Sequence, residues 1–250
     1  MKDDQPKRFV AKAKGAGRWL RENTDLFVLL VLAIVCVTTW LVAELVDEVL
    51  EGSTQRYDVW MLQHLRAPGN PHEPIGPKWF VDLWRDITAL GSTAILTLVT
   101  GAAAGYLVLQ RQYRTLILLL SATLGGLLIT LLLKDLFARP RPEFAAEGAY
   151  VLTASFPSGH SALSAVVYLT LGTLLARTSR QYRFKLYFIG MAVLVTLLVG
   201  FSRVYLGVHY PTDVLAGWCI GLIWALLCWL IARFLQKRGA IEPPQDALGT

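Results

Sequence analysis

Long uninterrupted apolar runs constrain this chain more than any other feature. A membrane-crossing helix needs about 20 consecutive apolar residues, fewer when flanking side chains snorkel. The sequence carries six such runs, at about 26–46, 87–109, 115–133, 159–176, 186–201 and 214–232. Within a bilayer each backbone N–H and C=O must be satisfied inside its own segment, which makes each run a helix. The predicted fold is therefore all-α, a polytopic bundle of six transmembrane helices. Hydrophobic residues make up 54% of the chain, and the 17% that are charged cluster between the runs instead of lining one face of each, so the bilayer is the expected solvent.

A basic leader, residues 1–25, precedes the first run. No small-x-small cleavage pattern occurs in "LVAELVDEV", so the run is expected to be an uncleaved anchor rather than a signal peptide. Residues 26–236 form one predicted domain, followed by a tail at 237–250; no repeat or second domain is visible. The net charge of +6 is not gathered into a basic stripe with interleaved aromatics, which argues against a nucleic-acid partner. It fits topology instead. Sixteen of the 24 Lys and Arg residues fall in the leader, the loops after the second and fourth runs, and the tail. The positive-inside rule then puts both termini in the cytoplasm and the loops after runs one, three and five outside. Cys36, Cys219 and Cys228 all lie in apolar runs. Their odd number and wide spacing oppose a disulfide framework or a zinc site, and they read as small residues at lipid depth or in the core.

Between the first two runs, "YDVWMLQHL" has apolar residues at Val59, Leu62 and Leu65 that predict a short interfacial helix shaping lipid entry. His64 and His72 read as exposed loop residues rather than metal ligands. In the second run, Gly101 and Gly105 form a small-xxx-small pattern, expected to pack inside the bundle.

Polar residues at membrane depth carry the functional signal, since a charge at the bilayer centre costs about 3 kcal/mol or more. Three segments qualify: "KDLFARPRP" closing the third run, "FPSGHSA" opening the fourth, and "SRVYLGVHYPTD" joining the fifth to the sixth. The derived topology puts all three at one membrane face, where Lys134, Arg141, Arg203, His160, His209 and Asp213 converge. Several cations around one carboxylate suit a multiply charged tetrahedral anion, with Arg141 and Arg203 as leading phosphate clamps. Arg139 reads equally well as a contact to lipid headgroups. Ser158 reads as a helix N-cap and Gly159 lets an anion approach the backbone. Pro211 in the first turn of the sixth helix sets His209 just ahead of a positive dipole end. A neutral imidazole is a good nucleophile when an acceptor holds its other nitrogen as N–H, and Asp213, four residues on, can be that acceptor. His160, from another helix, can protonate the leaving oxygen and then activate water.

The combination resembles a known family, the type 2 phosphatidic acid phosphatases, which share a core with vanadium haloperoxidases and glucose 6-phosphatase. Its first motif, a lysine, six residues and Arg-Pro, is matched by Lys134, Arg141 and Pro142. Pro-Ser-Gly-His is matched by Pro157, Ser158, Gly159 and His160. Ser-Arg, five residues, His, three residues and Asp is matched by Ser202, Arg203, His209 and Asp213. "DITALGS" in the second run fits more loosely. The resemblance implies a metal-independent mechanism without cofactor in which His209 is the nucleophile, Asp213 its partner and His160 acid then base. It also implies phosphate binding by Lys134, Arg141, Ser158, Gly159 and Arg203, in an active site at the extracytoplasmic ends of helices three to six.

Three functions compete. The first is hydrolysis of a membrane lipid phosphate such as phosphatidate, phosphatidylglycerol phosphate, undecaprenyl diphosphate or a lipid A phosphate, in the inner (cytoplasmic) membrane. The second is transfer of the phosphate to another lipid. The third, not enzymatic, is a transporter or scaffold for anionic lipids, which has no use for the His209 and Asp213 pairing. Six lipid-length runs leave little room for a haloperoxidase. The particular lipid and the oligomeric state stay open at this point.

Overall fold

The computed structural model describes residues 24–145 and 154–237. The basic leader up to residue 23 and the tail from residue 238 lie outside the described residues. In chain order the elements are α1 (Thr24–Glu51), α2 (Gln55–His64), β1 (Arg66–Ala67), β2 (Asn70–Pro74), α3 (Lys78–Ala89), α4 (Thr93–Leu109), α5 (Tyr113–Phe137), α6 (Gly159–Thr178), α7 (Tyr182–Tyr205) and α8 (Pro211–Lys237). Among the described residues, α1, α5, α6, α7 and α8 are each long and apolar enough to cross a membrane. A sixth span arises when α3 and α4, bent by 49° at a short break, are counted together. The chain is a multi-pass helical membrane protein.

The second run departs from its expected form. A single helix over 87–109 is predicted; instead α3 ends at Ala89 and α4 starts at Thr93, with Ser92 Oγ accepting from Ile95 N at 3.3 Å as an N-cap. The break brings Gly91 against α6 and α7, where an added Cβ would sit 2.4 Å from Val199 Cγ1 of α7 and 3.2 Å from His160 Cβ of α6. The straight reading failed because a run of apolar residues does not record a close backbone approach. α3 itself is amphipathic and has no buried residue, but Phe80 and Trp84 pack edge-on or tilted against Tyr205 and Phe201 of α7. A two-residue antiparallel pairing of β1 with β2 is the one departure from an all-helical description among the described residues.

Position in the bundle follows side-chain size. Half of the membrane-length window of α6 is buried, against 11% for α1, so α6 is the central helix and α1 is peripheral. Small residues on α6 (Ser161, Ala162, Ala165) meet two glycines of α8. A Cβ at Gly217 would lie 2.7 Å from Ser158 O, and one at Gly221 would lie 2.5 Å from Ala162 O. Apolar side chains gain nothing by leaving lipid for protein, so such backbone proximity and its dispersion contacts drive the pairing. It holds the N-terminus of α6 against that of α8. Gly101 and Gly105 correct the expectation made for them: both are exposed and an added Cβ would touch nothing within 4 Å. The working small-xxx-small pair is Gly217 and Gly221.

Replacing Gly217 with alanine is expected to force the α6–α8 contact apart at a cost of about 1–3 kcal/mol, a loss of about 3–10 °C in melting temperature. Thermal unfolding in detergent checks this, and the same change at Gly101 is expected to leave the melting temperature within about 1 °C.

A short helix, α2, forms over the segment where one is predicted. Leu62 of α2 is fully buried in a cluster with Val204, Tyr210 and Val214, backed by Val59, Leu65, Phe144 and Trp218. The helix thus seals one end of the bundle over the α7–α8 junction.

Candidate active site

Each motif residue sits where a helix begins or ends. Lys134 is in the last turn of α5, which closes at Ala138 in the left-handed region (φ 44°) and turns the chain into the Pro140 and Pro142 loop. Its ammonium donates to Ala154 O at 2.7 Å. Arg141 Nη1 donates to Val208 O at 2.8 Å and its Nη2 reaches Ala154 O at 3.5 Å. Arg203, in the last turn of α7, is buried; its Nη1 donates to Thr88 Oγ1 at 3.0 Å, which gives the "DITALGS" segment a place at the site. Its Nε is buried with no hydrogen-bond partner among the described residues. A charged donor left unpaired at low exposure is costly unless an anion completes it.

Ser158 is the predicted N-cap of α6: its Oγ accepts from Ser161 N at 3.4 Å and from Ser161 Oγ at 2.9 Å. Gly159 follows beside Lys134, whose Cε would be 3.4 Å from an added Cβ. Ser158 N donates to Asp213 O at 3.0 Å, so the two helix N-termini share a hydrogen bond. His160, half-buried in the first turn of α6, lies within electrostatic range of Arg203, His209, Lys134 and Arg141.

His209 is buried in the turn between α7 and Pro211, which opens α8 as predicted. Its Nδ1 is 3.4 Å from Asp213 Oδ2 and 3.4 Å from Ser155 Oγ. Its Nε2 accepts from Arg141 Nη1 at 3.2 Å. Those partners define the tautomer: Nδ1 carries the proton toward the carboxylate, and Nε2 keeps its lone pair toward the cations. Asp213 Oδ2 also accepts from Tyr210 N at 2.9 Å and from the Ser155 hydroxyl. All eight residues singled out in the sequence (Lys134, Arg141, Ser158, Gly159, His160, Arg203, His209 and Asp213) therefore meet at one end of the bundle. His64 and His72 are exposed, as expected, and the His64 ring is tied to Trp60 O at 2.8 Å.

Four further residues join the site; the sequence leaves Arg139 open and singles out none of the other three. Arg139 does not face headgroups: Nη1 bonds Asp213 Oδ1 at 2.6 Å and Nη2 bonds Asp58 Oδ2 at 2.8 Å. Asp58, on α2, is fully buried although it lies far from the motifs in sequence. Ser155 lies just ahead of "FPSGH" and bridges His209 and Asp213. Arg66 caps α7 by donating to Tyr205 O at 2.8 Å and Val204 O at 3.5 Å. A buried cation is stabilised there by the negative end of the helix dipole. Gly207 (φ 71°) makes room for it, since a Cβ would lie 2.2 Å from Arg66 Nη2. The only advance signal was a charge placed next to an apolar interfacial pattern.

Burial opposes the charge on Arg139, but the flanking carboxylates of Asp213 and Asp58 outweigh it and raise its pKa. Arg141 is pushed down by burial, with Asp213 partly offsetting. Arg66 falls to about 10 for the same reason of burial. His209 drops to about 4: burial dominates, Asp213 opposes it, and Arg203 and Arg141 add to it. A histidine with its pKa depressed from 6.5 to about 4 stays neutral between those values, where an exposed one gains a proton. Imidazole ¹⁵N spectra of the substrate-free protein are expected to show His209 as the neutral Nδ1–H tautomer down to about pH 4. A midpoint near 6.5 would contradict the burial account. Among the described residues no group of three or more His, Cys, Asp or Glu is placed to hold a metal ion.

A helical membrane bundle with a cationic, two-histidine cluster at one end defines the class. The PAP2 superfamily model matches residues 114–237, which include all three motifs. Phosphatidylglycerophosphatase B of Bacillus subtilis (strain 168) is 36% identical over 167 residues, covering 65% of this chain and 79% of that protein. Lipid A 1-phosphatase of Rhizobium johnstonii is 32% identical over 124 residues, 46% of each chain. The crystal structure of a transmembrane PAP2 type phosphatidylglycerolphosphate phosphatase from Bacillus subtilis superposes with a TM-score of 0.72 at 27% identity, covering 80% of this chain and 96% of that one. The chain belongs to the PAP2 superfamily and is a phosphoric ester hydrolase.

Proposed function

We propose that the protein hydrolyses the terminal phosphate of a membrane lipid through a phosphohistidine on His209, in a site at the extracytoplasmic face of a cytoplasmic membrane. The observation that carries this reading is the state of His209: buried, neutral, with Nδ1 toward Asp213 and Nε2 toward Arg141. Around it Lys134, Arg141, Gly159 and His160 are only half-buried. A phosphate entering there exchanges the Arg141–Nε2 contact for a charge-assisted one and finds Lys134, the open Nε of Arg203 and the N-terminus of α6.

In the first step, the Nε2 lone pair forms an N–P bond as the bond from phosphorus to the lipid oxygen breaks. His160 gives its proton to that oxygen, and the lipid leaves as an alcohol or, from a diphosphate, as a monophosphate. The incoming dianion favours the protonated form of His160. Positive charge that develops on the His209 ring is balanced by Asp213. Next, His160 takes a proton from water, the water oxygen bonds phosphorus, and the N–P bond breaks to return neutral His209 and inorganic phosphate.

The concentration of sixteen Lys and Arg residues in the leader, the loops after the second and fourth runs and the tail supports the outward orientation. Phosphatidylglycerol phosphate is the first substrate to assay, because the relative named for that activity is matched over 79% of its length. Purified protein in detergent is expected to release inorganic phosphate from it, with or without a second lipid as acceptor. Phosphate appearing on the acceptor with little released free would favour transfer instead, and no turnover of any lipid phosphate would contradict the reading.

A further inference from the structure

We propose that Asp58, on the interfacial helix α2, is a positioning residue for the reaction at His209, acting through Arg139 and Asp213. The proposal rests on the roles given above to His209 and Asp213.

An ionised carboxylate with no exposed surface is costly unless it is paired and its oxygens are bonded. Asp58 meets both conditions. Its Oδ2 accepts from Arg139 Nη2 at 2.8 Å and from Thr212 Oγ1 at 2.6 Å, and its Oδ1 accepts from Thr212 N at 3.1 Å. The other fork of Arg139 goes to Asp213 Oδ1 at 2.6 Å and to Thr212 Oγ1 at 2.9 Å. One guanidinium thus spans two carboxylates, a geometry that an ammonium cannot reproduce. Its plane is held from the side by the Tyr210 ring, 4.2 Å from the guanidinium carbon, and by Gln55, which accepts from Arg139 at 3.2 Å and donates to the Tyr210 hydroxyl at 3.2 Å. Asp213 keeps Oδ2 for His209, Ser155 and Tyr210 N. The series therefore runs from Asp58 through Arg139 and Asp213 to the imidazole.

This arrangement has an electrostatic consequence. As Nε2 bonds phosphorus, the ring becomes cationic and needs the negative charge of Asp213. Arg139 alone would draw on that charge. Asp58 neutralises Arg139, so the three groups together keep one net negative charge beside Nδ1. It also stops the Asp213 carboxylate from rotating, because Oδ1 stays anchored while Oδ2 faces His209. A helix that only plugged the end of the bundle through Leu62 would need no buried carboxylate aimed at this cluster.

The test compares Asp58→Asn, Arg139→Gln and the double variant with wild type and His209→Gln, in one detergent assay of phosphate release from phosphatidylglycerol phosphate. Asparagine keeps the shape and the acceptor for Thr212 N but removes the charge. Its kcat is expected to fall about 10- to 100-fold with KM within about threefold. The double variant is expected to be no more than about threefold slower than Arg139→Gln alone, because Asp58 acts through that residue. If Asp58→Asn does not fold, Arg139→Lys carries the test: it keeps the charge, reaches one carboxylate, and is expected to lose at least about tenfold in kcat at constant KM. A wild-type kcat with a lowered melting temperature, a rise in KM at constant kcat, or losses that multiply in the double variant would overturn the proposal. An active His209→Gln would instead overturn the reading beneath it.

Discussion

Replacing His209 with glutamine is expected to cut phosphate release by at least about 10⁴-fold, to the background of the assay, while the protein still folds. The amide is close in size and cannot form the N–P bond. Its neighbours keep their partners: Asp213 retains Arg139, Ser155 and Tyr210 N, and Arg141 retains Val208 O. The pocket and its cations remain, so binding of a phosphate lipid should persist. Retained binding with lost turnover, read by lipid binding and phosphate release on the same sample, separates a missing nucleophile from a collapsed site.

Asp213→Asn is expected to lower kcat by about 10³- to 10⁴-fold, the scale found when a carboxylate that orients a catalytic histidine becomes an amide. Two effects combine. The amide can present N–H to Nδ1 and invert the tautomer, which puts the proton on the nitrogen that must attack. It also removes the counter-charge for the cationic ring in the phosphohistidine. A third consequence is structural, since Arg139 loses one of its two carboxylates and is left to Asp58. The variant should therefore melt lower than His209→Gln, in which the Arg139 pairs survive. Thermal unfolding and steady-state kinetics on both variants check this ordering.

Much of the fold and of the site was legible in the sequence, for reasons that particular residues make plain. Helices α1, α5, α6, α7 and α8 were readable because backbone in lipid must close its own hydrogen bonds, so length and apolarity suffice. The caps at Ser158 and Pro211 were readable because helix starts have local chemistry. Lys134, Arg141, His160, Arg203, His209 and Asp213 stood out because ionisable groups are rare at membrane depth, and Gly159 followed from its place beside the Ser158 cap. The break between α3 and α4 was not readable, since it answers to Gly91 meeting His160 and Val199 across the bundle. Gly101 and Gly105 were chosen over Gly217 and Gly221 because a small-residue spacing does not say which way it faces. Asp58 was hidden, and Arg139 left open, for a related reason. Their pairing joins residues 81 positions apart, and a lone acid in an interfacial segment looks like a solvated surface residue until Thr212 and Arg139 close on it.

The cations have no such ambiguity. Lys134 closes α5, Arg141 follows in the loop after it and Arg203 closes α7, and each is drawn inward by a carbonyl or a hydroxyl: Ala154 O, Val208 O and Thr88 Oγ1. Holding like charges together costs energy, which Asp213 and these carbonyl and hydroxyl oxygens help to offset. A site of this kind is poised for an anion before one arrives.

The most direct measurement is capture of the covalent intermediate. Protein mixed with lipid substrate labelled in its terminal phosphate and quenched within milliseconds should carry label that survives base, is lost in acid and maps to His209. No label should appear on His209→Gln. Label on another residue, or full turnover with no labelled protein at any quench time, would contradict the assignment of His209 as nucleophile.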